Sequence, residues 1–420
     1  MSPLHRNAIG GRALILLLAS LLLITLAASA YPVQSQDQSF DPTDEAALKA
    51  FIHAYFDTRF AIFKPGFLHP QPASLARFVA SSPRAQAFLK AEQDKLEIAQ
   101  AHAQKTGLTY QDYSFTLDYQ AIEPDDLTGL VSVRLVLQSL ITYTDNAPDP
   151  VPTRGADEAH TLTLLPAPDG WQLVDDLYQD YLWRMLNASS ESKQDWMKTI
   201  GELELNPETP PEAGGTGCEL PADASTHAYD RAAAVAYART FALDYNPNYR
   251  DFPNADCTNY VSQAIYAGNA DHACKLSSDG LCGGTGGWYY VTGSRYAAAW
   301  TMVNPLHSFI TDPATQALWT TGPEGCVVTR EQAQLGDLMQ FDWNYDGRYE
   351  HTVIITRIAY AADGRKLVYV SSHDEDWLDA PSSYFTYANP ATRYIHIARI
   401  DGPDLRGGPG PGIYLPLINR

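Results

Sequence analysis

Cys257 is the residue of this chain best placed for chemistry. It follows Asp256 and opens a segment whose apolar residues recur at helical spacing, and Gly268 ends that segment. The spacing predicts that Cys257 lies in the first turn of a helix. There the partial positive charge of the helix N-terminus would lower the pKa of the thiol and favour the nucleophilic thiolate. Backbone N–H groups of the same turn would stabilise an oxyanion.

His351 is the candidate general base. It opens a segment rich in Val and Ile, residues 351–356, that is typical of a strand. A thiol at a helix start and a histidine at the start of a later strand together predict nucleophilic acyl chemistry. The alternative is a buried structural cysteine with an unrelated histidine. The sequence around Cys257, the cysteine count and the strand after His351 favour the catalytic interpretation.

A third polar residue is expected to orient the histidine. The return strand after His351 ends in a polar cluster, which consists of His373, Asp374, Glu375 and Asp376. A two-residue turn at Asp363–Gly364 would place Asp376 opposite His351 and Asp374 diagonally on the same face. His373 would point to the other face unless a bulge intervenes. The alternative is that the acidic cluster is only a solvated strand end.

Residues 342–347 form a candidate calcium loop. Asp342, Asn344 and Asp346 stand at alternate positions before Gly347, as in the first half of a calcium-binding loop. Position twelve of such a loop would be Val353, which cannot supply the bidentate carboxylate. The alternative is a simple turn, which Asn and Asp before Gly also form. No other cofactor is expected.

The cysteine count predicts one free thiol. The five cysteines are Cys218, Cys257, Cys274, Cys282 and Cys326. An odd number leaves at least one unpaired. If Cys257 is the nucleophile, the expected bridges are Cys274–Cys282, from their short spacing, and Cys218–Cys326, by elimination. No C-x-x-C motif or neighbouring pair of histidines supports a zinc site.

Composition indicates a globular and acidic protein. The chain has 420 residues, of which 45% are hydrophobic and 19% charged, and its net charge is −20. The length allows two or three domains with sizeable cores. The negative charge argues against nucleic acid and against anionic membrane surfaces as partners.

The first thirty residues resemble a secretion signal. Arg6 and Arg12 precede the apolar run 13–28, and Ala28-Ser29-Ala30 matches the small-residue pattern of a cleavage site. We therefore expect a secreted or cell-surface protein that is cleaved near Ala30 and is free of the membrane afterwards. The alternative is an uncleaved membrane anchor.

The rest of the chain divides into two α+β parts. The expected segments are a signal peptide (1–30), an accessory α+β domain (41–185), a helix end and linker rich in Pro, Glu and Gly (186–226), a second α+β domain (227–402) and a Gly/Pro-rich tail (403–420). The accessory part places helical patterns before alternating strands, which indicates a curved sheet wrapped on helices. It resembles the cone-shaped folds of the cystatin or nuclear-transport-factor-two type.

The second part resembles the putative amidase domain family over about residues 227–400. The resemblance rests on the segments 229–231 (Tyr-Asp-Arg), 256–263 (Asp-Cys-Thr-Asn-Tyr-Val-Ser-Gln) and 336–337 (Gly-Asp), and on His351 before a Val/Ile strand. That family is similar to the NlpC-type cell-wall peptidases and the CHAP amidases, which are papain-like hydrolases. The resemblance covers none of the N-terminal half.

The resemblance implies roles for individual residues. It implies a nucleophilic thiol at Cys257, a base at His351 and an orienting residue on the following strand. It favours His373 for that third role, whereas the strand geometry leaves Asp374 and Asp376 open. Trp288 and Trp300 either line the cleft or pack in the core.

We therefore expect a secreted cysteine amidohydrolase that cleaves an amide in a peptide or cell-wall peptide. One alternative is a secreted binding protein whose domain has lost activity. Another is an acyltransferase, because the same thioester can be resolved by an amine instead of water.

Overall fold

The computed structural model describes most of the chain outside its termini. The described residues are 44–66, 70–145, 151–203, 218, 226–269, 287–318, 322–361 and 363–401. The signal peptide, most of the linker, the pair Cys274–Cys282 and the tail after Asp401 lie outside them.

The helices alternate with long runs of strand. The α-helices are α1 (Glu45–Ala61), α2 (Pro83–Thr106), α3 (Tyr181–Ala188), α4 (Lys193–Glu202), α5 (Arg231–Phe241), α6 (Cys257–Ala267), α7 (Ala298–Thr301), α8 (Val303–Thr311) and α9 (Pro313–Leu318). Short 3-10 helices cover Pro72–Phe78 and Ser382–Thr386. No helix among the described residues has both the length and the apolar character needed to cross a membrane.

The strands form one large antiparallel sheet and a small hairpin. They are β1 (Tyr110–Asp125), β2 (Leu130–Tyr143), β3 (Thr153–Gly155), β4 (Glu158–Ala167), β5 (Gly170–Leu177), β6 (Thr226–Ala228), β7 (Tyr290–Thr292), β8 (Arg295–Tyr296), β9 (Gly322–Val328), β10 (Leu338–Asp342), β11 (His351–Tyr360), β12 (Lys366–Ser372), β13 (Trp377–Pro381) and β14 (Ala391–Asp401). The large sheet runs in the order β5-β4-β2-β3-β13-β12-β11-β10-β14-β6, with β1 on β2 and β9 on β14, and β7 pairs with β8. The predicted α+β class is confirmed.

Local sequence explains the first helices and strands. Asp44 caps the N-terminus of α1 through its side chain, Ser82 does the same for α2, and Gly107 ends α2 at a φ of 75°. The predicted period of two along β2 is observed, since Val133, Leu135 and Leu137 are all buried. These elements enclose the core of the first half.

The sheet is continuous between the two halves of the chain. Strand β3 pairs with β13, with Trp377 opposite Gly155 and Leu378 opposite Arg154. A Cβ atom at Gly155 would lie 2.9 Å from the Trp377 ring, so a larger residue there would force the ring away. The division into an accessory and a second domain remains a prediction.

The motif residues of the second half tie α5 to the sheet. The hydroxyl of Tyr229 donates to the carbonyl of Gly336 at 2.9 Å, and Arg231 bonds a carboxylate oxygen of Asp337 at 2.6 Å. Asp337 is fully buried and also accepts from the N–H of Ile397. A buried, fully bonded ion pair of this kind fixes relative position, because removing either partner leaves a charge unpaired. These motif residues therefore position elements and do not face the thiol.

Gly268, which follows α6, provides a test of this packing. A Cβ there would lie 2.3 Å from the ring of Tyr229 and 2.9 Å from the carbonyl oxygen of Asp230. We expect Gly268→Ala to lower the free energy of unfolding by about 1–3 kcal/mol, because the backbone oxygen cannot move aside. Urea unfolding followed by circular dichroism measures it. The control is Gly201→Ala in α4, where the added methyl meets nothing within 4 Å. Equal urea midpoints for both variants would contradict the expectation.

Candidate active site

Cys257 lies at the start of α6, as predicted. The helix begins at Cys257 with Asp256 as its N-cap residue, and its core-facing residues Tyr260, Val261 and Ala264 are fully buried. This buried face anchors the helix, so the position of the thiol is set by the core. Cys257 is a free cysteine and is only 5% exposed.

His351 begins β11 and packs among aromatic rings. It is 6% exposed, and its ring centroid lies 5.5 to 6.3 Å from those of Phe385, Trp343 and Phe341. The Nε2 atom is buried without a hydrogen-bond partner among the described residues. Burial lowers the pKa of His351 to about 4, so the ring is neutral near pH 7 and can accept a proton.

The structure brings Cys257, His351 and Asp374 together. The Cys257 sulfur, a ring nitrogen of His351 and a carboxylate oxygen of Asp374 all lie within 4.8 Å of one another. The cluster joins the helix start, the start of β11 and the turn after β12. A thiol, an imidazole and a carboxylate are the groups that acyl-transfer catalysis uses as nucleophile, base and orienting residue.

A β-bulge explains why Asp374, and not Asp376, lies opposite His351. The connection between β11 and β12 is longer than the predicted two-residue turn, and the pairing shifts between Ile355 and Arg357. Beyond the shift Ile354 pairs with Ser371. If this register is continued by three residues, His351 at the start of β11 comes to lie opposite Asp374, which follows the end of β12. The predicted pairing of His351 with Asp376 is therefore wrong, because the longer connection moves each partner by one position and the bulge moves every later partner by one more.

Asp374 caps the cysteine helix. Its carboxylate accepts hydrogen bonds from the backbone N–H of Asp256 at 2.8 Å and of Cys257 at 2.9 Å. The residue has a φ of 72°, in the left-handed region that non-glycine residues seldom occupy. The N–H of Cys257, which the sequence suggested for an oxyanion, is thus occupied by a carboxylate in this conformation.

The Cys257 thiol has a raised pKa, contrary to the expectation from its position. Burial is the largest cause and the Asp374 carboxylate the next, and together they raise the pKa to about 12. A hydrogen bond from the backbone N–H of Thr352 to the sulfur lowers this pKa, but its effect is smaller than that of burial or of Asp374. The dehydration of the sulfur and the charge of the neighbouring carboxylate outweigh the partial positive charge of the helix start. The resting pair is therefore a neutral thiol beside a neutral imidazole.

His373 lies behind the helix start and bonds other groups than His351. Its Nδ1 is 2.6 Å from a carboxylate oxygen of Asp256, and its Nε2 is 2.6 Å from the carbonyl oxygen of Phe241. The ring is stacked between Tyr245 and Tyr260 at centroid distances of 3.9 and 4.0 Å. These contacts hold Asp256, the residue that precedes Cys257, in place.

The remaining candidates are placed away from the thiol cluster. Asp376 accepts a hydrogen bond from the hydroxyl of Tyr245 at 3.1 Å. Trp288 and Trp300 are both fully buried and belong to the core around α6. Core packing, and not cleft lining, is therefore the role that the structure gives these two side chains.

Comparison with known proteins agrees with this arrangement. Residues 228–397 match the family model of the putative amidase domain. The match covers the segments that carry the sequence resemblance and includes the three residues of the cluster. The resemblance to this family is thereby confirmed, and the chain contains an amidase-family domain.

Two proteins of Bacillus subtilis (strain 168) are similar to part of the chain. The uncharacterized protein YjcM is 28% identical over 182 residues, which are 42% of this chain and 38% of YjcM. The uncharacterized protein YhbB is 27% identical over 176 residues, which are 41% of this chain and 51% of YhbB. The chain thus spans about half the length of YhbB and less of YjcM. One solved structure, the intermembrane space region of the chloroplast protein ARC6, covers 33% of this chain and 98% of its own at 14% identity, with a TM-score of 0.25.

Sequence reasoning missed the role of Asp256. This N-cap residue is 1% exposed, and its Oδ1 accepts from the N–H of Phe252 at 3.1 Å and from the side-chain amide of Asn259 at 2.9 Å. Its Oδ2 pairs with His373. The signal for it was its place directly before Cys257 in the eight-residue motif of the amidase domain.

The candidate calcium loop has a different set of oxygens than predicted. Carboxylate oxygens of Asp342, Asp346 and Glu350 lie within 4.8 Å of one another. The side-chain oxygen of Asn344 instead accepts from the N–H of Asp346, and its amide donates to Glu350. Asp342 itself accepts from the N–H groups of Asn344, Tyr345 and Gly347, as in a self-capped turn. Calcium binding stays a prediction.

One predicted disulfide is present. Cys218 and Cys326 are joined, with their Cα atoms 5.6 Å apart. The bridge ties the linker to β9 and leaves Cys257 as the free thiol among the described residues. The other predicted pair, Cys274–Cys282, lies outside these residues.

Proposed function

We propose that the protein is a cysteine amidohydrolase in which Cys257 attacks an amide carbonyl and His351 serves as general base. The observation that carries the proposal is the convergence of Cys257, His351 and Asp374 within 4.8 Å, inside the segment that matches the amidase family. A free cysteine at a helix start, next to a neutral buried histidine, is the pairing that thioester chemistry requires.

The protonation states favour attack with concerted proton transfer. Because the pKa of Cys257 is raised and that of His351 lowered, the resting pair does not exist as thiolate and imidazolium. His351 takes the thiol proton as the sulfur bonds to the carbonyl carbon, and then passes it to the leaving amine. The product is a thioester on Cys257. Water, deprotonated by His351, then releases the acid and regenerates the thiol.

Asp374 sets a condition on this reaction. An oxyanion could use the N–H of Cys257 only after the Asp374 carboxylate has released it, since both would occupy one position. The left-handed backbone of Asp374 makes the turn after β12 a place where such a movement would relieve strain. The Asp374 carboxylate also lies close enough to His351 for its negative charge to stabilise the imidazolium that forms there.

The proposed substrate is an amide in a peptide, including a cell-wall peptide, outside the cell. The disulfide Cys218–Cys326 supports an oxidising compartment, since such bridges persist mainly in secreted proteins. The basic and apolar N-terminal segment with its Ala28-Ser29-Ala30 site supports export and cleavage near Ala30.

A catalytically inactive binding protein is the second candidate. The 5% exposure of Cys257 and the occupied N–H at the helix start favour it. An acyltransferase would form the same thioester and pass it to an amine. Detection of the thioester on Cys257 would therefore distinguish an enzyme from a protein that only binds.

Trapping the thioester tests the proposal. The full chain is incubated with cell-wall peptides in the presence of hydroxylamine, which converts a thioester to a hydroxamate, and the released amines and hydroxamates are quantified by mass spectrometry. We expect amine release, hydroxamate formation and, after rapid acid quenching, an acyl adduct that maps to Cys257. Amine release without any adduct at Cys257 would contradict the mechanism, and no release with any peptide amide would favour the binding protein.

A further inference from the structure

A second site lies between the first half of the chain and the segment formed by β13 and the following 3-10 helix. A partly open cavity of about 140 Å³ has an aromatic lining on several sides. Its aromatic lining includes the rings of Tyr110, Tyr143, Trp377, Tyr384 and Tyr387. Its volume is close to the roughly 150 Å³ that holds a single six-membered ring in an engineered cavity.

The tyrosine hydroxyls of this cavity are unused by the protein. Within the described part of the chain, no hydrogen bond engages the hydroxyl groups of Tyr110, Tyr143, Tyr384 or Tyr387. Burial is the main cause that raises the pKa of each above the ordinary value, so all four stay protonated and can donate. None of the four is a buried polar atom without a partner, so these hydroxyls are accessible from the cavity and free to donate to a bound molecule with several oxygen atoms.

The charges of the lining balance. Lys95 is ion-paired with Asp180, and Arg59 lies 3.0 Å from Glu92. Glu158 and Asp180 supply two negative lining groups against the two positive ones of Arg59 and Lys95. The lining therefore has no net charge that would offset the dehydration of a charged ligand, so the cavity favours a neutral molecule.

We propose that this cavity binds a neutral saccharide ring. Aromatic faces such as that of Trp377 pack against the C–H face of a sugar, the tyrosine hydroxyls donate to its oxygens, and the carboxylates of Glu158 and Asp180 accept from its hydroxyls. An apolar ring of the same size would leave these polar groups without partners.

The saccharide site is a neighbour of the thiol cluster. Trp377 follows Asp374 by three residues, so their Cα atoms are at most about 11 Å apart. Trp377 also opens β13 opposite Gly155 of β3. The site thus uses both halves of the chain, and its ligand does not depend on the chemistry proposed for Cys257.

Binding is measured with full-length Cys257→Ser protein, so that hydrolysis plays no part. The probes are D-glucose and N-acetyl-D-glucosamine, titrated by saturation-transfer NMR, with indole and tetramethylammonium as ring and cation comparators. We expect saturable binding of at least one sugar, weakened about fivefold by Tyr143→Phe and by Tyr387→Phe, each of which removes one hydroxyl and keeps the ring. The matched control is Tyr113→Phe, whose hydroxyl bonds Asp57, and it should leave binding unchanged.

A second measurement needs no variant in the cavity. A sugar that binds only the folded chain should raise its urea midpoint, and the rise should grow with the logarithm of the sugar concentration once that concentration exceeds the Kd. Absence of saturable sugar binding, a midpoint that no sugar moves, wild-type affinity in both cavity variants, or binding of indole or tetramethylammonium alone would each overturn the proposal.

Discussion

Replacing His351 with alanine is expected to lower kcat for a peptide amide by roughly 100- to 10,000-fold, the usual contribution of a positioned acid–base group. Cys257→Ala should cost at least as much, and the double variant should be no slower than the worse single variant. That lack of additivity is expected because the nucleophile and its base act as one unit. The measurement is release of free amine under saturating substrate, for the wild type and the three variants side by side.

The buried ring of His351 requires a control for folding. Its neighbours Phe341 and Phe385 are themselves fully buried, so alanine leaves a small cavity. His351→Gln keeps more of the volume and should be as inactive while unfolding closer to the wild-type urea midpoint. The matched control is His307→Ala in α8, a histidine whose pKa burial also lowers to about 4. Full activity in His351→Ala, or an equal loss in His307→Ala, would remove His351 from the mechanism.

The local elements of the site could be read from the sequence. Apolar spacing after Cys257 predicted α6, and a run of Val and Ile predicted β11, because helix and strand periods depend on neighbouring residues only. The bridge Cys218–Cys326 followed from counting. Each of these inferences uses information that lies within a short stretch of chain or in the total composition.

The register and the electrostatics of the site could not be read in this way. The bulge near Ile355 that brings Asp374 to His351 depends on how β11 fits its neighbours, and no residue there marks it. The raised pKa of Cys257 depends on burial and on a carboxylate far away in the sequence. The pairing of Gly155 with Trp377 likewise joins two short strands that lie far apart in the sequence, and local sequence patterns do not predict such a pairing.

Asp374→Asn is expected to move two rates in opposite directions. The Asp374 carboxylate raises the pKa of Cys257, so removing its charge lowers that pKa and increases the thiolate fraction at any pH below it. Alkylation of Cys257 by iodoacetamide should therefore become about tenfold faster at a given pH, which corresponds to a shift of about one pH unit. Amide hydrolysis should become about tenfold slower, because the neutral amide does not stabilise the imidazolium that forms on His351.

The divergence of the two rates is the informative result. The asparagine side-chain oxygen can still accept the N–H of Cys257, so the helix cap is retained and only the charge is lost. The matched control is Asp376→Asn in the same turn, whose carboxylate bonds the hydroxyl of Tyr245 and lies outside the cluster. It should leave both rates near the wild-type values. Both rates are measured from pH 5 to 9, with mass mapping of the alkylated residue.

Other outcomes would assign Asp374 a different role. If both rates rise in Asp374→Asn, the carboxylate only blocks the helix start and has no orienting function, since freeing the N–H of Cys257 then helps catalysis. If alkylation slows, the carboxylate does not raise the pKa of Cys257, and the neutral resting pair is wrong. The expected split requires both effects in one side chain, which follows from its position beside the sulfur, the imidazole and the first N–H groups of α6.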